Sequence, residues 1–344
     1  MTGMELELGI DLGATNIAAA LVDADNQIVQ QASLPTQPER PAAEILADIV
    51  RLAEGLVRDT GRRAQDIAAI GLGVPGIADP QSGVVYLCPN LGWQDLPVRE
   101  LLAAGFQQVG LAAPVFIAND ANCAALAELY LGALRGCQNA VLVTLGSGIG
   151  GGLIVNGQLQ TGAHGAAGEV GHMAVELHGP DCPCGSTGCW ERFASAPALR
   201  QLAAERGLTA DTSLSTDRNL TTGDPLSTAR NLTSAVQLST EQIIAAAQAG
   251  DRQAQQVFAE YIYNLARGLA SIISMVDPEV VALGGGLSAA GDFLLTAVRD
   301  ELALQLPFQG YPTAEIVLAT LGNAGGLVGA ALYARQEQDK LTKN

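Results

Sequence analysis

ELELGIDLGATNIAAALVD, residues 5–23, reads as strand, turn and strand. The first strand is residues 5–11, and Ile17–Asp23 and Gln27–Ala32 are the next two, separated by tight turns at Gly13 and Asn26. The first turn holds Asp11, Gly13, Thr15 and Asn16. Glycine lets backbone N–H groups approach a phosphate, Thr15 offers a hydroxyl donor, and Asp11 can hold Mg2+ through water. The six residues 11–16 also suit an ordinary hairpin with a tight glycine turn.

Outward from this stretch, Ile45, Ile49, Leu52 and Leu56 lie four, three and four apart, which predicts a helix with one apolar face between Pro41 and Thr60. Ile67–Val74 and Pro114–Ala118 read as strands ending in Pro75-Gly76 and Asn119-Asp120, with a helix over Ala121–Leu134. A second round follows: a strand at Ala140–Leu145, a hairpin at Leu153–Leu159 turning on Asn156-Gly157, helices over about 240–276, strands at Val280–Leu283 and Ile316–Thr320, and a final helix near Leu327–Gln336. The expectation is two α/β lobes: residues 1–118, joined by the C-terminal helix within 325–344, and residues 119–324. Residues 207–240 are rich in Ser, Thr and Asn and repeat Leu-Ser-Thr at 214, 226 and 238, so they read as an inserted surface loop or, alternatively, a lid.

A chain of 344 residues, 48% hydrophobic, can bury two cores. Its formal net charge of -17 argues against neutralising nucleic-acid phosphates or adhering to anionic lipid. No run is long enough to span a membrane, and residues 1–9 lack a basic stretch followed by an apolar one, so a cytoplasmic location is expected. There the Asn219 and Asn231 sequons carry no meaning, and cysteines stay reduced. Cys88, Cys123 and Cys137 are scattered, whereas Cys182, Cys184 and Cys189 are bunched.

Two further glycine clusters follow strands. Thr144-Leu-Gly146-Ser-Gly-Ile-Gly-Gly-Gly152 reads as a second phosphate turn or a flexible connector; it lacks the Lys of a P-loop and the following helix of a dinucleotide fingerprint. Gly284-Gly285-Gly286 would let backbone lie against a nucleobase or ribose, or let strand and helix pack closely. Cys182, Cys184 and Cys189 with His172 match a closed Cys3His zinc shell; His178 could replace His172, or the thiols could be unligated. Asp120, Glu169 and Glu191 offer acceptors for sugar hydroxyls, although Asp120 could simply begin the helix that follows it.

Asp11-x-Gly-x-Thr15, Gly73-Val-Pro-Gly76, Pro89-Asn-Leu-Gly-Trp93, Asn119-Asp120, Glu169-x-Gly-His172 and Cys182-x-Cys-Gly-x-x-Gly-Cys189-x-Glu191 occur in the order found in the ROK family (repressors, open reading frames, kinases), which the chain resembles over nearly its full length. The resemblance implies an α/β, two-lobed actin-like ATPase fold (acetate kinase/hexokinase/actin, ribonuclease H-like) with a cleft between lobes. It implies phosphorylation of glucose at the 6-hydroxyl by MgATP, with another hexose or a non-catalytic sugar sensor as alternatives. Asp120 would be the catalytic base, and Gly76, Asn119, Glu169, His172 and Glu191 would hold the sugar. Gly13, Thr15, Asn16, Thr144 and Gly146 would face phosphates, and Gly285 and Gly286 the adenosine. His172, Cys182, Cys184 and Cys189 would hold a structural Zn2+, His172 also presenting its second ring nitrogen to the sugar. A homodimer or homotetramer is the family expectation. Family members are usually shorter at 207–240, and the family's repressors carry a helix-turn-helix ahead of the Asp-x-Gly motif; here ten residues precede Asp11, which favours an enzyme.

Overall fold

The computed structural model describes residues 5–208, 238–307 and 310–343. Most of the Ser/Thr-rich segment, with Asn219 and Asn231, lies outside them.

The chain folds the same topology twice. β1 (Leu6–Leu12), β2 (Asn16–Val22) and β3 (Ile28–Pro35) form an antiparallel meander, and α1 (Ala42–Asp59) crosses to β4 (Ile67–Val74), parallel to β1. A small antiparallel sheet of β5 (Ile77–Ala78), β6 (Val85–Cys88) and β7 (Trp93–Leu96) follows, and α2 (Val98–Gln108) leads back to β8 (Val115–Asn119), parallel to β4. After α3 (Asp120–Leu131) the second meander begins: β9 (Ala140–Leu145), β10 (Ile149–Val155) and β11 (Gln158–Gln160). Helices α4 (Glu191–Ala194), α5 (Ala196–Glu205), α6 (Thr240–Gln248) and α7 (Arg252–Val276) precede β12 (Val280–Gly284), parallel to β9. Finally α8 (Asp292–Gln305) crosses to β13 (Glu315–Leu318), parallel to β12, and α9 (Ala324–Lys343) ends the chain. The sheet orders β3-β2-β1-β4-β8 and β11-β10-β9-β12-β13 are equivalent strand for strand. Among the described residues no helix is long and apolar enough to cross a membrane.

Alternation explains how β1 is used. Leu6, Leu8, Ile10 and Leu12 are fully buried among Ile45 and Ile49 of α1, whose stripe is the one the spacing predicts. Glu7, Gly9 and Asp11 point to the opposite face, where α9 lies. There Glu7 accepts a 2.5 Å hydrogen bond from Arg335 Nη2 of α9, and Gly9 leaves room for the helix, since a Cβ would sit 2.0 Å from the Leu327 carbonyl oxygen. Gly71 of β4 does the same against Ala330, and Gly329 of α9 against Cys123 of α3, at 1.9 and 1.8 Å.

The helices expected over 240–276 are present as α6 and α7, separated at residues 249–251, where Gly250 adopts φ 92° and Asp251 caps α7 by accepting from the Ala254 N–H at 2.8 Å. Several expectations need correction. The glycines at 150–152 are strand rather than turn. They let α3 press onto β10, with Ala125 Cβ 2.2 Å from a Cβ built at Gly152. The final helix is longer than Leu327–Gln336. The small sheet and α2, over 77–108, have short apolar runs with no clear period and gave no sequence signal. The Asn156-Gly157 turn has both φ values positive, as expected.

Gly329→Val, which drives a side chain into the Cys123 carbonyl, should lower stability by about 3 kcal/mol or more. Gly55→Ala on α1, where a Cβ meets nothing closer than Arg58 Nη2 at 3.7 Å, should raise it by up to about 1 kcal/mol. Urea unfolding midpoints compare the two.

Candidate active site and metal loop

Asp11 of β1, Asp120 directly after β8, Thr144 of β9 and Gly284 of β12 line one cavity at the carboxyl ends of their strands, the usual location of a site in open α/β sheets. At the end of β8, Asn119 caps α3: its Oδ1 accepts from the Asn122 N–H at 3.1 Å, and its Nδ2 donates to the Gly76 carbonyl at 3.1 Å. Because Asn119 is the cap, Asp120 need not be. Asp120 accepts from the Ala121 N–H at 2.8 Å and from its own backbone N–H, and it lines the cleft.

A cavity of about 490 Å3 lies against it, lined by Asp11, Asp120, Thr144, Gly285 and Gly286 among others, with no Lys or Arg in its walls among the described residues. Gly284 and Gly285 are needed for close packing, since a Cβ on Gly285 would lie 2.4 Å from the Leu145 carbonyl oxygen, whereas Gly286 faces open space. The close-packing reading of this glycine run therefore holds at Gly285. Burial and then the charge of Asp120 push the Asp11 carboxyl up to about 7, and burial likewise raises Asp120. Two carboxylates in a cavity without a fixed cation suit a ligand that arrives with one. Gly13, Thr15, Asn16 and Gly146 do not line this cavity. They form the equivalent turns β1–β2 and β9–β10, closed by Gly13 N–H to Asn16 O at 2.9 Å and Gly146 N–H to Gly148 O at 3.0 Å.

Gly76, Asn119, Glu169, His172 and Glu191 also stand outside the cavity, and Asp120 is common to both groups. Burial raises the Glu169 pKa; neighbouring His172 opposes the rise, while Asp120 and Glu191 add to it. Glu169 Oε2 is 3.9 Å from His172 Nε2. Glu191 reaches the second turn, its Oε2 accepting from the Ile149 N–H at 2.9 Å. Gly76 keeps φ 89° with no space for a side chain, the Leu87 carbonyl oxygen lying 2.1 Å from a built Cβ.

Residues 172–191 form a tight loop bridged at Ala174–Cys189 and Asp181–Thr187. Gly188 has φ 67°, and a Cβ there would lie 1.7 Å from the Glu176 carbonyl oxygen. One ligand atom from each of His172, Cys182, Cys184 and Cys189 falls within 4.8 Å of all the others. Cys184 Sγ to Cys189 Sγ is 3.6 Å and Cys182 Sγ to His172 Nδ1 is 3.7 Å. Edges of about 3.5–3.8 Å are what Zn–S and Zn–N bonds of ordinary length produce in a tetrahedron, so the group fits a closed Zn2+ shell. His178 is exposed and outside the group. Nδ1 faces the sulfurs, which leaves Nε2 toward Glu169. The loop is anchored by Trp190, fully buried against Gly268 and donating through Nε1 to the Asn264 carbonyl at 3.0 Å.

Sequence reasoning missed the far wall of the cavity: Glu128 of α3, and Ala319, Gly322, Asn323, Gly325 and Gly326 around the start of α9. The run Leu-Gly-Asn-Ala-Gly-Gly at 321–326, directly after a strand, was the available signal. A Cβ on Gly326 would lie 2.5 Å from Asp11 Oδ2, so this glycine brings the helix start against the first carboxylate.

The ROK family model matches residues 7–337. The glucokinase of Streptomyces coelicolor is 36% identical over 334 residues, covering 97% of this chain and 98% of that protein. The crystal structure of a ROK family glucokinase from Streptomyces griseus in complex with glucose and AMPPNP superposes with a TM-score of 0.78 at 33% identity, covering 96% of this chain and 99% of that one. The xylose repressor of Bacillus subtilis is 28% identical, covering 94% of this chain and 75% of its own length. The duplicated sheets are the two-lobed actin-like ATPase fold. Matched from the first strand into the last helix, the chain belongs to the ROK family.

Proposed function

We propose that this protein is an ATP-dependent sugar kinase that transfers the γ-phosphoryl group of MgATP to the 6-hydroxyl of glucose. The observation that carries this reading is the position of Asp120, shared by the cavity lined by Asp11, Thr144, Gly285 and Gly286 and by the group of Glu169, His172 and Glu191. Full-length likeness to the Streptomyces glucokinases supports it. In this reading the cleft divides residues 1–118, with α9 packed on their sheet, from residues 119–324.

The sugar sits among Gly76, Asn119, Glu169, His172 and Glu191, and its 6-hydroxyl faces Asp120. Oxygen 6 attacks the γ-phosphorus, the bond to the β,γ-bridging oxygen breaks, ADP leaves with that electron pair, and the hydroxyl proton passes to Asp120. Asn119 holds the Gly76 strand end against α3 and so sets where Asp120 points. Asp11, which lines the cavity, would hold the nucleotide's Mg2+ through water. With no Lys or Arg lining the cavity among the described residues, phosphate charge is met by Mg2+ and by backbone N–H groups of the turns at Gly13, Thr15, Asn16 and at Thr144, Gly146. Gly285 and Gly286 lie against the adenosine. His172, Cys182, Cys184 and Cys189 would hold Zn2+, which stiffens the loop and fixes the histidine tautomer without entering the chemistry.

Asp120→Asn should lower kcat by about 10²-fold or more while leaving the glucose Kd within a few-fold; calorimetry beside a coupled assay reads both, and substantial residual turnover would assign the base elsewhere. Initial rates with glucose, fructose, N-acetylglucosamine and N-acetylmannosamine identify the hexose. Sugar binding without ATP consumption would favour the non-catalytic sensor.

Burial raises the Asp120 pKa, and the base works only when deprotonated. Thus kcat/KM should fall as pH drops through that raised value, with an acid limb above the ~4 of an ordinary aspartate. A limb near 4 in the pH profile would contradict this.

Metal analysis should find one zinc per chain, and Cys184→Ser should lose it together with thermal stability and glucose affinity. A zinc-free, fully active preparation would remove the metal from this account.

A further inference from the structure

Glu128 is 2% exposed, lies on α3 eight residues after Asp120, and has no partner cation among the described residues. A buried carboxylate without one is costly unless donors saturate it. Here they do. Oε1 accepts from the Thr320 and Leu321 N–H groups, both at 2.8 Å. Oε2 accepts from the Ala133 N–H at 2.7 Å and from the Thr320 hydroxyl at 3.2 Å. Four donors converge on two oxygens, a demand only an acceptor-only group meets. Gly132 makes room, because a Cβ there would lie 1.9 Å from Oε2.

Three of those donors belong to Thr320 and Leu321, which open the connection from β13 to α9. Ala319, Gly322 and Asn323 of that connection line the cavity beside Glu128, and Gly326 carries the wall on to Asp11. The other end of α3 bears Asp120. One buried carboxylate thus ties the helix that carries the proposed base to the wall facing Gly285 and Gly286. With both oxygens engaged, Glu128 has little left to offer a ligand directly.

We propose that Glu128 is a positioning residue for the nucleotide: it holds residues 319–323 where they form one wall of the nucleotide cavity, so that its loss weakens MgATP and MgADP selectively and leaves the sugar side intact. This rests on the reading of the cavity as the nucleotide site. Glu128→Gln keeps an amide oxygen for the Thr320 and Leu321 N–H groups but turns an NH2 toward the remaining donors; Glu128→Ala abandons all four.

The test is calorimetric titration of the full chain with MgADP and, separately, glucose, alongside KM for MgATP and for glucose. Losing these hydrogen bonds should raise the MgADP Kd and the MgATP KM about tenfold in Glu128→Ala, less in Glu128→Gln, with glucose constants within about twofold of the parent. A general staple would instead lower thermal stability and weaken both ligands alike. Equal weakening of both, or a folded Glu128→Ala protein with an MgADP Kd within twofold of the parent, overturns the positioning role. If Glu128→Ala does not fold, Glu128→Gln is judged by the same criteria. A parent chain that binds no MgADP overturns the nucleotide reading itself, and this proposal with it.

Discussion

The structure depends on backbone lying directly against backbone where α3 and α9 meet the sheets. Gly9 and Gly71 open the inner face of the first sheet to α9, Gly329 seats α9 against the carbonyl of Cys123 on α3, and Gly152 lets α3 reach β10. Any Cβ at these points would fall within about van der Waals overlap of a carbonyl or methyl, so the side-chain layer that usually separates helix from sheet is missing there. That closeness brings Asp11, at the end of β1, and Asp120, at the start of α3, into one cavity, with Gly326 allowing the start of α9 to touch Asp11.

Bringing those two carboxylates together has an electrostatic consequence. Each is disfavoured as an anion by burial, and Asp11 also by the charge of Asp120. A divalent cation carried in by a ligand would relieve both at once, because such a charge is what the described walls lack. The same principle orders the opposite side, where His172 tempers Glu169 against the push of Asp120 and Glu191. Glu191 joins the two sides mechanically: it follows Cys189 of the Cys3His group by two residues and holds the Ile149 N–H of the β9–β10 turn. The Ala196 N–H grips the Gly146 carbonyl of that turn at 2.9 Å from the same chain segment. The chain segment that carries the Cys3His group therefore also sets the position of the β9–β10 turn.

Much was legible from residues 5–23 and 144–191 because local chemistry is self-contained there. Strand, turn and strand follow from alternation and a glycine, and three cysteines in eight residues can close only a small loop. Asn156-Gly157 turned as its preference for positive φ requires. Where local rules compete, the reading strayed. The glycines at 150–152 have the composition of a flexible turn, and only the approach of α3 reveals them as a strand that needs bare backbone. Asp120 could have capped the helix it begins, and the hydrogen bonds assign that task to Asn119.

The sequence alone determined the class of fold, the order of its motifs and the chemical character of the metal loop, because periodicity, turn preference and ligand softness act within a few residues. Tertiary structure decided which residues share a cavity and which face another helix. It grouped His172, and not His178, with the three cysteines, and it made Glu128 a partner of residues 320 and 321, nearly two hundred positions away. Those outcomes depend on distances closed only when the two sheets and α9 pack together, and no spacing along the chain encodes them.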